Sequence, residues 1–172
     1  MTTGLGTLSI DPATPADVPL LLSLIRELAD YERLLHKARA RPEALQRHLF
    51  GPRPYAEAVV ARAAAEPVGF ALWFHNYSTF EGRPGLYLED LFVRPAHRGL
   101  GYGEALLRHL ARLAVERDCA RVEWAVLDWN EPAIRFYRKL GAVAMDDWTV
   151  QRVSGEALHA LAGVPASHGD PS

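Results

Sequence analysis

An α/β domain of the α+β type, with a mixed but mostly antiparallel sheet flanked by helices, is predicted by three observations. Residues 57–93 read as a meander of β-type runs separated by Pro- and Gly-marked turns. The last of those runs ends in Val93 and feeds Arg-Gly-Leu-Gly-Tyr-Gly, which opens an amphipathic helix. A further β-type run over 121–127 leads into Asn-Glu-Pro and a second such helix. At 172 residues and 19.1 kDa, with 49% hydrophobic residues, the chain is the size of one ordinary domain with its own core. One domain over 1–162 and a tail over 163–172 are expected.

In chain order, residues 5–11 are the first expected strand, and residues 12–15 turn the chain. A helix follows over 16–35, because Leu21, Leu24, Ile25 and Leu28 recur at the spacing that gathers side chains on one face. Residues 42–50 make a shorter helix. Residues 57–65 and 68–77 are strands joined at Glu66-Pro67, and a loop over 78–85 leads to the strand ending in Val93. The long helix over 102–117 places Leu106, Leu110, Leu113 and Ala114 on one face. After the strand at 121–127, Asn130 caps a helix, Pro132 sits in its first turn, Ile134, Tyr137 and Leu140 share a face, and Gly141 ends it. A strand within 142–153 completes the sheet, a short helix spans 155–162, and the Gly/Pro/Ser tail is expected to be disordered.

Composition excludes several function classes. A net charge of −2 and a pI near 6.4 supply no basic face, so nucleic acid is not an expected partner. No apolar run approaches the roughly 20 residues that span a bilayer, and no signal peptide opens the chain, so no membrane is expected and a cytoplasmic location is. Cys119 is the single cysteine and is read as a packing residue. The seven histidines show no HxxxH or HExxH spacing and there is no CxxC, so no metal site is expected.

The informative stretch is residues 87–103, Y-L-E-D-L-F-V-R-P-A-H-R-G-L-G-Y-G. A strand running through glycines into a helix N-terminus presents unpaired backbone N–H groups and the positive end of the helix dipole, a setting built for phosphate. A nucleoside-triphosphate loop would place Lys and a hydroxyl after the last glycine, but Glu104 and Ala105 follow Gly103. The dinucleotide fingerprint fails on glycine spacing and on the absence of an N-terminal parallel unit. What remains, R-G-x-G-x-G after a strand, resembles the pyrophosphate loop of the GNAT N-acetyltransferases. D-W-N-E-P-A-I-R-F-Y-R-K-L-G at 128–141 resembles the second half of the same core. With I-R-E-L-A-D-Y-E at 25–32, these motifs are similar to the diamine (spermidine/spermine) and thialysine N-acetyltransferase subfamily, over about residues 8–162.

That resemblance implies acetyl-CoA as cosubstrate and a sheet with a splayed strand pair at its binding site. A bulge there lets Leu91, Phe92 and Val93 offer backbone groups to the pantetheine arm. Residues Gly99, Leu100, Gly101, Tyr102, Gly103 and Glu104 would hold the pyrophosphate on backbone N–H groups, with Arg98 as a nearby cation. Asn130, Pro132 and Ala133 would complete the cofactor contacts, although Asn130 by itself reads equally as a helix cap. Acetyl transfer requires an unprotonated amine, stabilisation of the oxyanion, and a proton for the departing thiolate. By type alone Glu89 is a solvated strand carboxylate and Tyr137 a core aromatic. The Y-L-E-D and F-Y-R-K-L-G matches make them general base and general acid.

Tyr31, Glu32, Glu89, Asp90, Asp146 (or Asp147) and Trp148 stand where the resemblance implies contacts to a small cationic amine. The diamine enzymes carry an acid and a Trp in a Y-D-P-W loop, whereas this chain has Tyr77-Ser78-Thr79-Phe80. This loop is more similar to the thialysine branch and shifts the expectation toward a lysine-like amino acid or a short diamine. A homodimer is expected from the resemblance and from the apolar stretch around residues 148–153. A non-catalytic acyl-CoA sensor and a protein-lysine or N-terminal acetyltransferase stay open as alternatives.

Overall fold

The computed structural model describes residues 7–165. They belong to two compact units, one through Ala125 and one from Val126 onward. The first holds a five-stranded sheet in the order β1 (Leu8–Pro12), β2 (Glu57–Ala63), β3 (Glu66–Ser78), β4 (Arg83–Val93) and β5 (Val122–Trp124). Neighbours are antiparallel from β1 to β4, and β5 lies parallel to β4. This is the mixed, mostly antiparallel arrangement the sequence predicts.

Helices cover both faces. α1 (Val18–Tyr31) buries Leu21 and Leu24 in a cluster with Ala58, Val60, Phe70 and Phe92, and α2 (Pro42–Phe50) packs beside α1. α3 (Tyr102–Glu116) buries Leu106, Leu107, Leu110 and Ala114 and packs on β1, β3, β4 and β5. The run Val68–Ala71 in β3 is accordingly buried on both sides, as expected of a strand between two helical layers.

α1 is shorter than the expected 16–35 at both ends. Residues Pro15–Asp17 form a 3-10 turn in which Asp17 Oδ2 accepts from Thr14 N and Oγ1, both at 2.8 Å. Starting the α-helix at Val18 puts Pro19 in its first turn, where the missing N–H costs nothing. At the other end Arg33 adopts φ of 62° and Leu34 N returns to Ala29 O at 2.7 Å, a left-handed stop made without glycine. The β2–β3 turn is also displaced from Glu66-Pro67. Ala64 and Ala65 make it, at φ of 48° and 71°, and neither is a residue that marks such a turn. Pro67 instead lies within β3, beside a register shift at Ala61/Arg62.

The second unit contains α4 (Glu131–Lys139) and α5 (Gly155–Ala162). The strand expected within 142–153 is not formed: residues 141–154 have no regular structure. Among its described residues this unit holds no other strand to pair with, and an apolar run of β-type residues becomes a strand only against a neighbour. Val143, Met145, Trp148 and Val150 are exposed, and Leu140, expected on the buried face of α4, is exposed as well. The expected tail is described only through residue 165; residues 166–172 lie outside the described residues.

Candidate active site

The ladder between β3 and β4 slips once. Leu72 pairs with Asp90 and Trp73 with Leu88, which leaves Glu89 as the surplus residue of a bulge. On the other edge, β4 pairs with β5 only through Leu86, Tyr87 and Leu88. Among the described residues, the strand therefore continues from Glu89 to Val93 without a strand partner on that side. Backbone groups along this edge are available to a ligand, and the bulge resets the alternation so that Glu89 is exposed while the adjacent Asp90 is half-buried.

A third carboxylate comes from the end of α1. Glu32, one residue past the helix, acts electrostatically on Asp90 together with Glu89. Burial, then Glu89, then Glu32 push the Asp90 carboxyl up to about 6, and burial alone raises Glu32. Asp90 is thus ionised at neutral pH and still basic enough to accept a proton. Sequence reasoning gave it only a substrate contact, because residue type cannot say which of two adjacent acids the sheet encloses.

Beyond Val93 the chain passes through a 3-10 turn (Pro95–His97) and enters the glycine segment. Gly99 and Gly101 adopt φ of 77° and 83°, a conformation that disfavours any side chain. A Cβ at either would meet no protein atom within 4 Å, so backbone conformation rather than crowding calls for glycine, and the space in front of them is open. α3 begins just after Gly101, with no side-chain cap on its first N–H groups. Gly99 to Glu104 thus form an open cradle at a helix N-terminus, and a pyrophosphate-bearing cosubstrate fits it.

Two arginines fasten this cradle to α1. Arg94 donates from Nε and Nη2 to the two oxygens of Glu27, at 2.9 and 2.8 Å, and from Nη1 to Pro67 O at 2.9 Å. Arg98 donates from Nε to Val93 O at 2.9 Å and holds its guanidinium carbon 4.3 Å above the Tyr31 ring and 5.6 Å from that of Phe92. Neither pairing was anticipated, although the spacing carries a signal: Glu27 and Tyr31 are one helical turn apart, as are Arg94 and Arg98 in number.

In the second unit, Asn130 is buried and its Oδ1 accepts from Ala133 N at 3.4 Å, with Pro132 between them in the first turn of α4. Its amide nitrogen is not used by that cap. Tyr137 is half-buried on α4, its ring 5.4 Å from that of Phe136. Asp146 and Trp148 stand exposed in the irregular stretch after Gly141.

The Tyr77–Phe80 loop is not brought to the carboxylates. Ser78 pairs with Arg83 at the far end of β4, six residues or roughly 20 Å along the strand from Glu89. Its side chain is buried and Oγ accepts from Glu81 N at 3.2 Å, so within this chain Ser78 shapes a turn. A different acid, Glu57, is fully engaged: Arg117 donates to both its oxygens, Trp73 Nε1 donates at 3.0 Å, and Arg117 in turn reaches His75 Nε2 at 2.9 Å. Cys119 lies beside this network, Sγ 3.8 Å from His75 Nδ1. Among the described residues no group of His, Cys, Asp and Glu could hold a metal ion, and no helix is long and apolar enough to cross a membrane.

Residues 22–142 match the acetyltransferase (GNAT) family. The thialysine N-epsilon-acetyltransferase of Bos taurus is 38% identical, over 90% of this chain and 96% of that protein. An L-ornithine N5-acetyltransferase of Arabidopsis thaliana is 32% identical, over 87% of this chain and 85% of its own length. Among solved structures, an integron cassette protein from the mobile metagenome of V. cholerae superposes with a TM-score of 0.76 at 27% identity, covering 90% of this chain and 97% of that one.

Proposed function

This chain belongs to the acetyltransferase (GNAT) family and is an N-acetyltransferase, and on that footing we propose that it acetylates the terminal amine of a lysine-like or ornithine-like amino acid. The family uses acyl-CoA as cosubstrate. The observation that carries the proposal is the cluster of Glu32, Glu89 and Asp90 on a bulged strand edge that runs directly into the glycine cradle. Three carboxylates recognise a cation, and one of them, Asp90 with its carboxyl near 6, can also deprotonate it. The thialysine and ornithine relatives act on amino acids that end in a primary amine, which fits such a cluster.

Acetyl-CoA, when bound, supplies the acetyl thioester; Gly99, Leu100, Gly101, Tyr102, Gly103 and Glu104 would hold its pyrophosphate, and the free edge of Leu91 and Phe92 its pantetheine arm. The amine arrives protonated, since its ordinary pKa lies near about 10.4. Glu32 and Glu89 draw it in, and Asp90 or Glu89, directly or through water, takes its proton. Tyr137 Oη, a phenolic O–H donor, is assigned to the leaving sulfur. Asn130, Pro132 and Ala133 are assigned to the cofactor, Tyr31, Asp146 and Trp148 to the acceptor.

The exposed Met145, Trp148 and Val150 support a homodimer, and the lone cysteine supports a cytoplasmic location. The test is a panel of thialysine, lysine, ornithine, putrescine, spermidine and spermine with acetyl-CoA, read by thiol release. Highest kcat/KM for an amino acid is expected. A tenfold preference for spermidine over thialysine would overturn the substrate assignment and make this a polyamine acetyltransferase.

A further inference from the structure

We propose that Arg98 is a positioning residue for the acceptor amine: through the face of Tyr31 it holds the Tyr31–Glu32 end of α1 against the Glu89–Asp90 bulge of β4. This inference rests on the reading of that carboxylate cluster as the acceptor site. An arginine in a phosphate loop would ordinarily be expected to extend toward the anion. Here its Nε is committed to Val93 O, at the end of the strand that precedes the loop, and its guanidinium plane is spent on Tyr31 and Phe92. The group it holds is the last residue of α1, and the next residue is Glu32.

That end of α1 needs holding. The helix stops without glycine, at Arg33 in the left-handed conformation, and a 3-10 turn follows at Leu35–Lys37. Tyr31 is itself partly exposed, so apolar burial does not fix its place. One turn earlier the Arg94–Glu27 pair ties the helix to the same loop, and Leu28 packs on the core cluster. Past that point Arg98 on Tyr31 extends the attachment toward Glu32. The arrangement joins the two halves of the reaction. A loop that receives an anion on its backbone also sets, through one side chain, the carboxylate that receives the cation. A cation over an aromatic face contributes about 0.5 to 2 kcal/mol, or roughly 2- to 30-fold in an equilibrium.

The experiment compares Tyr31→Phe, Tyr31→Leu and Arg98→Gln with Asp90→Asn as control. Acceptor KM, kcat and CoA affinity by calorimetry are measured for each, and the aspartate carboxyl of the unliganded protein is titrated by carbon NMR. Tyr31→Leu is expected to raise acceptor KM roughly 2- to 30-fold with CoA affinity unchanged, and Tyr31→Phe, which keeps the ring face, to restore it. Arg98→Gln is expected to raise acceptor KM as well as weaken CoA. In the unliganded Leu variant the Asp90 carboxyl should titrate below its wild-type value, because Glu32 moves away. Unchanged acceptor KM and Asp90 titration in Tyr31→Leu would overturn the strut while Asp90→Asn still damages acceptor KM. If Asp90→Asn itself leaves acceptor KM and turnover intact, the acceptor site lies elsewhere and the underlying reading falls instead.

Discussion

Glu57 at the start of β2 and Asp90 past the bulge of β4 are acids on the same sheet, and they titrate in opposite directions. The hydrogen bonds from Arg117, outweighing burial, hold Glu57 below the usual carboxylate range. Burial, with Glu89 and Glu32 nearby, pushes Asp90 up to about 6. One acid has its charge answered by the fold; the other is enclosed with like charges. The contrast marks where a cation is wanted. A site that leaves carboxylates with neither arginine nor lysine opposite them among the described residues holds its electrostatic attraction in reserve for a ligand.

The two acids differ most in their expected effect on turnover. Asp90→Asn is expected to lower kcat by about 100- to 10,000-fold, the range for losing a proton-transfer group, with CoA affinity retained. Glu57→Gln should leave kcat within a few-fold, and a large loss there would mean that paired and unpaired acids are not separable in this sheet. Tyr137→Phe is expected to fall in the same range as Asp90→Asn if Tyr137 supplies the second proton transfer.

A smaller effect sharpens the boundary between the acids and the cradle. Gly101→Val forces a branched side chain into φ of 83° and fills the open space in front of the α3 N-terminus. Strain of that kind is worth about 1 to 2 kcal/mol, so CoA affinity should fall roughly 5- to 30-fold or further, with circular dichroism unchanged. Unaltered CoA affinity would remove the cradle assignment and leave the carboxylates untouched.

The pH profile separates the two acids next. If Asp90 accepts the proton, kcat/KM should rise with pH through an inflection near 6. Glu32→Gln and Glu89→Gln should each move that inflection downward by removing a like charge, while Glu57→Gln should not move it. An acid limb that stays in place in both variants would assign it to another group.

Stability gives the smallest effect and the opposite signs. Asp90 binds its proton more tightly in the folded chain than at its ordinary 3.8, so its contribution is favourable when protonated and is lost as pH rises through about 6. Asp90→Asn should therefore raise Tm by a few degrees at pH 7 to 8, on the order of 1 kcal/mol, and change it little below pH 4. Glu57 has a lowered folded value, so its contribution is present above its ordinary 4.5 and is lost as pH falls through the folded value. Glu57→Gln should lower Tm by about 1 to 3 °C at neutral pH and lose that difference in acid. Calorimetric scans across pH check both.

Some features of this chain are settled among neighbouring residues. Glycines 99 and 101 before an amphipathic helix leave its N-terminus open in the left-handed conformation, Asn130 followed by Pro132 starts a helix, and periodicity places α2 and α3 within a residue of their observed ends. These depend on φ, caps and spacing over a few residues. The tertiary structure alone decided what depends on distant partners. It selected Asp90 over Glu89 as the enclosed acid, because a bulge is a mismatch between two strands. It turned Arg98 onto Tyr31, 67 positions away, placed Ser78 in a buried turn far from the carboxylates, and left residues 141–154 without regular structure. Propensity is local, whereas burial and charge compensation belong to whatever the chain brings alongside.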